Sequence, residues 1–288
     1  MCLTPINLKK TGASSNSYVT QQVPCNKCLE CRKRRTNSWF ARLTEQLKVS
    51  DTAFFVTLTY DDMYLPFSPN GLMTLDYRDF QLFMKRARKL QKKKISYFLV
   101  GEYGSQTHRP HYHAIVFDVD NISKFLNEWR KGHTHAGTVT HKSIYYTLKY
   151  CTKSVVDDSK DKPSDSKFTV ELDDGASVSY LISSDSDDDR KPEKALMSKA
   201  LGLSHLTTSI IAYYKDDVTR NFSLLGGRTI PLPRYYRDKV FSDDEKVRRS
   251  IAIYDYLEKR YERISDPLFP QRVRKMYDKV YESIKQTD

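Results

Sequence analysis

The sequence predicts an α+β domain in which an antiparallel sheet is flanked by helices. Three observations predict it. Two runs rich in aromatic and apolar residues, Ser96 to Gly101 and Pro110 to Phe117, are joined by a Gly-containing turn and read as a hairpin. Tyr77, Phe80, Phe83, Met84 and Ala87 recur at spacings of three and four, which gives residues 76–92 one apolar helical face. Strands and helices are also intermixed without the strict strand–helix alternation of a parallel sheet, so antiparallel pairing is expected.

Taken in order, the segment to about Gln22 is polar, rich in Ser, Thr and Asn, and is expected to be irregular. Cys25, Cys28 and Cys31 follow, then Arg32-Lys33-Arg34-Arg35. Trp39, Leu43 and Leu47 repeat at every fourth position, an amphipathic helix with a basic start. Ala53 to Tyr60 is dense in aromatic and β-branched residues and reads as a strand, ended by a loop through Pro66, Pro69 and Gly71. The helix over 76–92 turns Lys85, Arg86, Arg88 and Lys89 away from its apolar face. After the hairpin, helices are expected at Asn121 to Lys131 and Ser143 to Lys153, with a short strand between them. The composition then shifts: 157–166 and 183–189 are acidic and Ser-rich and enclose a β-like piece at Phe168 to Ile182. Like-charge runs with few apolar residues bury too little surface to order themselves, so a mobile insertion carrying a hairpin is expected. Beyond Leu196 the chain is basic and aromatic again, with helices expected at Ile251 to Arg263 and Val273 to Ile284. The expected organisation is a cysteine-rich segment (1–35), a core (36–155), an acidic flexible insertion (156–195) and a basic, partly helical C-terminal region packed on the core (196–288).

Composition narrows the function. A net charge of +12 suits a polyanionic partner, because each phosphate neutralised by Lys or Arg releases a counterion. The 20 Tyr and 13 Phe add stacking surfaces for unpaired bases. There is no long apolar run and no basic-then-apolar start, so neither a membrane span nor a signal peptide is expected. Five cysteines, three of them clustered, favour metal binding in a reducing compartment over disulfides.

Two constellations carry chemistry. In Arg109-Pro110-His111-Tyr112-His113, strand alternation puts His111 and His113 on one face and Tyr112 on the other. A bare His-x-His also occurs as two exposed histidines on an ordinary strand. Here an antiparallel return of the chain brings Glu102 beside the pair, and two imidazoles with one carboxylate and open positions suit Mg2+ or Mn2+. Downstream, Tyr146 and Tyr150 are four apart on a predicted helix and share a face, with Lys149 and Lys153 alongside; Tyr145 is expected to face the core. A tyrosine can attack a phosphodiester and conserve its energy as a phosphotyrosine, and nearby cations favour the phenolate.

Cys25, Cys28 and Cys31 form a C-x2-C-x2-C array that lacks a fourth zinc ligand locally. Cys2 is the leading candidate, with His108, His133, His135 and His141 behind it; three free thiols or an iron–sulfur site are the other readings. Arg32, Arg34 and Arg35, together with Lys85 and Arg88, are candidate DNA-phosphate contacts.

These motifs, in this order, resemble the HUH-type rolling-circle endonucleases, and among them the replication initiators of gokushovirus-type microviruses. Phe55-Val56-Thr57-Leu58-Thr59-Tyr60 resembles the first motif, Glu102 through His113 the metal motif, and Tyr146-x-x-Lys149-Tyr150-x-x-Lys153 the double-tyrosine helix. Met1-Cys2, the cysteine cluster and Pro231 to Lys239 resemble the gokushovirus form, and the acidic insertion is the main departure. The resemblance implies an HUH endonuclease-like sheet of ferredoxin or RRM type and a site-specific cut in single-stranded or melted origin DNA. It implies a 5′-phosphotyrosine, with the first cut assigned to Tyr150, and a free 3′-OH that primes a host polymerase. It further implies a host helicase and action in the bacterial cytoplasm. A plasmid initiator, relaxase or transposase of the same class is the nearest alternative, and a non-catalytic zinc-containing nucleic-acid-binding protein is a more distant one. No motif speaks to oligomeric state.

Overall fold

A computed structural model of the chain describes residues 2, 4–11, 18–26, 28–153, 166–171, 177–182, 188–217, 219–225, 228–246, 248–249 and 252. The chain divides into two compact units, residues 1–207 with 222–236, and residues 208–221 with 237–288. The helices expected at Ile251 to Arg263 and Val273 to Ile284 lie outside the described residues.

The first unit begins with a two-stranded antiparallel ribbon, β1 (Ile6–Thr11) and β2 (Tyr18–Val23), where irregular structure was expected. The Ser- and Asn-rich composition behind that expectation is concentrated at 12–17, between the strands. Helix α1 (Leu29–Val49) follows, then β3 (Ala53–Thr59), α2 (Tyr77–Lys89), β4 (Ser96–Tyr103), β5 (Pro110–Phe117), α3 (Ile122–Asn127), β6 (Thr134–Thr138) and α4 (His141–Lys153). A hairpin, β7 (Ser166–Glu171) with β8 (Ser177–Ile182), lies where the insertion's β-like piece was read. Strand β9 (Ala195–Met197) was not anticipated; three residues are too few to show a period.

Five strands form one antiparallel sheet in the order β6-β3-β5-β4-β9. From β3 to β6 the connectivity is βαββαβ, with sheet order fourth-first-third-second, the split βαβ pattern of ferredoxin-like folds. The α+β class and the antiparallel sheet flanked by helices are therefore as the sequence predicts.

Local chemistry sets the helix starts. Asp76 accepts a hydrogen bond from the Arg78 amide at 3.2 Å, and Asn121 from the Lys124 amide at 2.9 Å. Thr140 Oγ1 accepts from the Ser143 amide at 3.2 Å ahead of α4.

Because side chains alternate along a strand, the sheet has two apolar faces and a helix layer for each. Val56, Leu58, Leu99, Tyr112, Ala114 and Val116 pack with Phe80, Phe83 and Met84 of α2 and with Phe125 and Trp129. Phe98, Val100, Ile115 and Phe117 pack on the other side with Phe40 and Leu43 of α1 and Ile144 and Leu148 of α4. Arg42 of α1 lies 4.0 Å from the Trp39 ring centroid and 3.6 Å from that of Tyr235, and donates twice to the Leu201 carbonyl. Gly101 has no side chain for a specific reason: a Cβ there would stand 2.7 Å from the Tyr77 hydroxyl. That hydroxyl donates to the Pro192 carbonyl at 3.0 Å and accepts from the Lys194 amide at 2.8 Å, which binds residues 188–197 to the sheet edge next to Glu102.

In the second unit, α5 (Thr208–Asp216) carries Lys215, which pairs with Glu245 at 3.0 Å. Among the described residues, no helix is long and apolar enough to cross a membrane.

Trp129 joins the α2/α3 layer to the first core strand. It is fully buried, rests against Tyr60, Phe83 and Tyr112, and donates from Nε1 to the Thr59 carbonyl at 2.7 Å. Trp129→Ala is expected to lower stability by about 3–5 kcal/mol, read from the urea midpoint. A loss below about 1 kcal/mol would remove Trp129 from that role.

Candidate active site

The odd-numbered residues of β5 place the candidate ligands. The register sets Glu102 opposite His111, Val100 opposite His113, and Thr57 opposite His113. Cross-strand partners share a face, so Glu102, His111 and His113 all project on the α1/α4 side, the reverse of the Tyr112 side. Glu102 and His113 are 7% exposed, so this is a nearly closed pocket rather than a surface trio.

The separations are those of one cation's ligands. His111 Nε2 and His113 Nε2 lie 3.4 and 3.5 Å from the same oxygen, Glu102 Oε2. Two donors about 2.0–2.2 Å from a shared ion are left at separations of this order. Glu102 Oε2 is buried and has no hydrogen-bond partner.

The imidazole tautomers explain why. His111 Nδ1 is 3.2 Å from the Arg109 carbonyl, which can only accept, so Nδ1 carries the proton and Nε2 presents a lone pair toward the carboxylate. Facing lone pairs repel unless a proton or a metal ion stands between them. Burial opposes charge on His111, but its contacts with Glu102 and the Arg109 carbonyl outweigh this and hold its pKa above the usual histidine value. Burial first, and then the charge of His111, push His113 down to about 4, so it is neutral at pH 7 and able to ligate a metal. Its Nδ1 lies 3.1 Å from Thr57 Oγ1. With Nε2 left to a cation, Nδ1–H donates to that hydroxyl, the usual way a second partner orients a ligating histidine. The donor set and the unsatisfied oxygen fit a divalent cation.

Helix α4 supplies the next group. Its Ile144, Thr147 and Leu148 are buried, and the opposite face carries Tyr146 and Lys149, both exposed. The Tyr146 ring stands edge-on to His113 at 5.4 Å between centroids and edge-on to Phe55 at 6.1 Å. Phe55 stacks on His113 at 5.4 Å. Tyr145 is half-exposed against Phe40, with centroids 4.2 Å apart, and does not enter the core as the sequence suggested. Tyr150 and Lys153 are in the last turn of α4, and their side chains lie outside the described ones.

The remaining candidates lie elsewhere. Cys2, Cys25, Cys28 and Cys31 gather at the start of α1, with their sulfur atoms all within 4.8 Å of one another. Arg34 and Arg35 are exposed on the first turns of α1, and Arg32 is partly buried there. Lys85 and Arg88 are exposed on α2, in the layer on the other side of the sheet from Glu102, so the fold does not bring them to the site. Sequence reasoning missed Thr57 and Phe55 as neighbours of His113. Their signal was the alternation of the 55–59 strand, which puts Phe55, Thr57 and Thr59 on one face.

Residues 53–155 match a family described as replication-associated protein ORF2. That span runs from β3 through α4 and contains Thr57, Glu102, His111, His113 and Tyr146. The chain is 26% identical over 282 residues to replication-associated protein ORF2 of Spiroplasma virus 4, covering 90% of this chain and 79% of the relative. It is 29% identical over 266 residues to replication-associated protein ORF4 of Chlamydia phage 1, covering 83% of this chain and 58% of that protein. It is 25% identical over 273 residues to replication-associated protein VP4 of Bdellovibrio phage phiMH2K, covering 82% and 76%. No solved structure matches the chain. The recognition drawn from the motifs holds at this level: the family and the relatives alike are replication-associated proteins, and the relatives come from viruses and phages.

Thr57→Val keeps the shape of the side chain but removes the partner of His113 Nδ1. It is expected to weaken Mn2+ binding about 10- to 100-fold, measured by the EPR signal of the free ion. His113→Ala serves as the reference for complete loss, and an unchanged affinity in Thr57→Val would dismiss the orienting role.

Proposed function

We propose that this protein starts rolling-circle replication of a phage genome by nicking single-stranded or melted origin DNA through a phosphotyrosine. The observation that carries this reading is the Tyr146 ring set against His113, on the sheet face that also bears Glu102 and His111. A nucleophile and a cation-seeking pocket then meet inside the segment that matches a replication-associated family.

In the proposed step, a tyrosine oxygen attacks the phosphorus and the bond to the 3′ oxygen breaks. The 3′ oxygen takes up a proton and leaves as a free hydroxyl, the phenolic proton passes to solvent, and the 5′ phosphate stays on the tyrosine. Rejoining is the reverse attack by a 3′-OH. A Mg2+ or Mn2+ ion held by Glu102, His111 and His113 would polarise the phosphate and stabilise its developing charge. The chain's own residues do the positioning: Thr57 orients His113, Phe55 fills the space beneath Tyr146, and Lys149 and Lys153 favour phenolate formation. The contact with His113 favours Tyr146 as a nucleophile, and the Tyr-x-x-Lys spacing assigns the first cut to Tyr150.

Arg32, Arg34 and Arg35 are proposed to hold DNA phosphates, in keeping with the net charge of +12. Lys85 and Arg88 belong to the α2 layer and would meet only DNA that passes that side of the sheet. The 3′-OH would prime a host polymerase behind a host helicase, in the cytoplasm of the bacterial host.

The test is an SDS-resistant protein–DNA adduct formed with labelled single-stranded oligonucleotides tiled across the cognate genome in the presence of Mn2+. An adduct on a single origin fragment is expected, reduced in Tyr146→Phe or Tyr150→Phe and absent in the double variant. If no fragment gives an adduct, the nicking reading falls; if His111→Ala cleaves like the parent, the metal assignment falls.

A further inference from the structure

We infer that Cys2, Cys25, Cys28 and Cys31 form a structural zinc site that clasps the base of the β1–β2 ribbon to the start of α1. The inference stands apart from the nicking chemistry, because these four residues form a cluster separate from that of Glu102, His111 and His113.

Geometry brings Cys2 to the array. The ribbon pairs Ile6 with Val23, and the same register carried outward places Thr4 beside Cys25. The Thr4 hydroxyl accordingly donates to Cys25 Sγ at 3.2 Å, and Cys2 follows it to the cluster. Asn26 adopts a left-handed conformation, φ 62°, one that Asn tolerates well, and so turns the chain tightly between Cys25 and Cys28. Cys28 then occupies the N-cap position of α1, and Cys31 is buried in its first turn.

The sulfur spacing fits zinc. Cys2 Sγ is 3.5 Å from Cys25 Sγ and 3.8 Å from Cys28 Sγ. A tetrahedral ion about 2.3 Å from each sulfur leaves the sulfurs roughly 3.8 Å apart. These separations are far beyond a disulfide bond of about 2.05 Å, and all four thiols are free. Two sulfurs already accept backbone hydrogen bonds, Cys2 Sγ from the Cys25 amide at 3.3 Å and Cys25 Sγ from the Cys28 amide at 3.2 Å. Such bonds stabilise thiolates. Metal binding would release the four thiol protons and leave Zn(Cys)4 with a charge of about −2, next to Arg32, Lys33, Arg34 and Arg35.

A physical need goes with the geometry. A two-stranded ribbon is at best marginally stable in water. A metal clasp at its open end closes the chain from residue 2 to residue 31 and fixes the ribbon to a 21-residue helix.

The experiment uses the full-length chain. Elemental analysis should find one zinc that persists when His111 and His113 are both changed to Ala. Replacement by Co2+ should give thiolate-to-metal charge-transfer absorption, which a carboxylate–imidazole site cannot produce. Cys2→Ser and Cys28→Ser should each weaken zinc binding roughly tenfold or more, the scale on which even outer partners of metal ligands act. Chelation of the wild-type zinc should speed amide exchange in β1 and β2 and leave β3 to β5 unchanged, a readout that needs no variant to fold. Bound iron in place of zinc, absence of a cobalt–thiolate band, or unchanged affinity and spectrum in Cys2→Ser would overturn the site.

Discussion

One register, Glu102 opposite His111 across the β4–β5 pair, is the constraint on which the rest of the structure depends. Side chains alternate with a period of two, so a slip by a single residue would send both histidines to the α2 side and Tyr112 to the α4 side. What prevents the slip is burial on the far face. Tyr112, Ala114 and Val116 are closed under α2 and Trp129, and the Tyr112 hydroxyl lies 3.2 Å from that of Tyr60, which in turn donates to Asp79. The aromatic core on one side of the sheet thus holds the reactive groups in place on the other. Gly101 belongs to the same arrangement, because the space it leaves lets Tyr77 tie the 188–197 segment beside Glu102.

The site is organised around a missing positive charge. Three groups that would each be costly to bury alone are placed so that one cation, or in its absence a proton on His111, satisfies them together. Carboxylate and imidazole are held by strands, whereas Tyr146 is carried by a helix that packs through Ile144 and Leu148. The ligand geometry is therefore set by ladder hydrogen bonds and the tyrosine's position by side-chain packing, two supports that respond differently to mutation.

Much of this was legible in the sequence because each feature has a short period. The face of 76–92, the hairpin to Phe117 and the spacing of His111 and His113 all show within a few residues. Glu102 could be placed because its partner is nine positions away across a tight hairpin. Features that depend on distant pairing were not legible. The β1–β2 ribbon alternates polar and apolar residues, but its partners flank a Ser- and Asn-rich stretch that dominates the composition. Strand β9 has meaning only through Val100, Leu99 and Phe98, about a hundred residues earlier in the chain. Thr57 was read as an ordinary strand residue because its role appears only when β3 is laid beside β5. Tyr145 was misjudged through its spacing from Leu148, although the ring finds Phe40 at the helix rim instead.

The four-residue spacing on α4 has a temporal consequence. Positions 146 and 150 are separated by about 6 Å of helix rise, while the pocket formed by Glu102, His111 and His113 is a single fixed point on the sheet. Under the two-tyrosine reading, a phosphate docked there meets one hydroxyl at a time. Cutting and resealing then become an ordered alternation, and its tempo is set by how a strand end, or the helix itself, is handed one turn along.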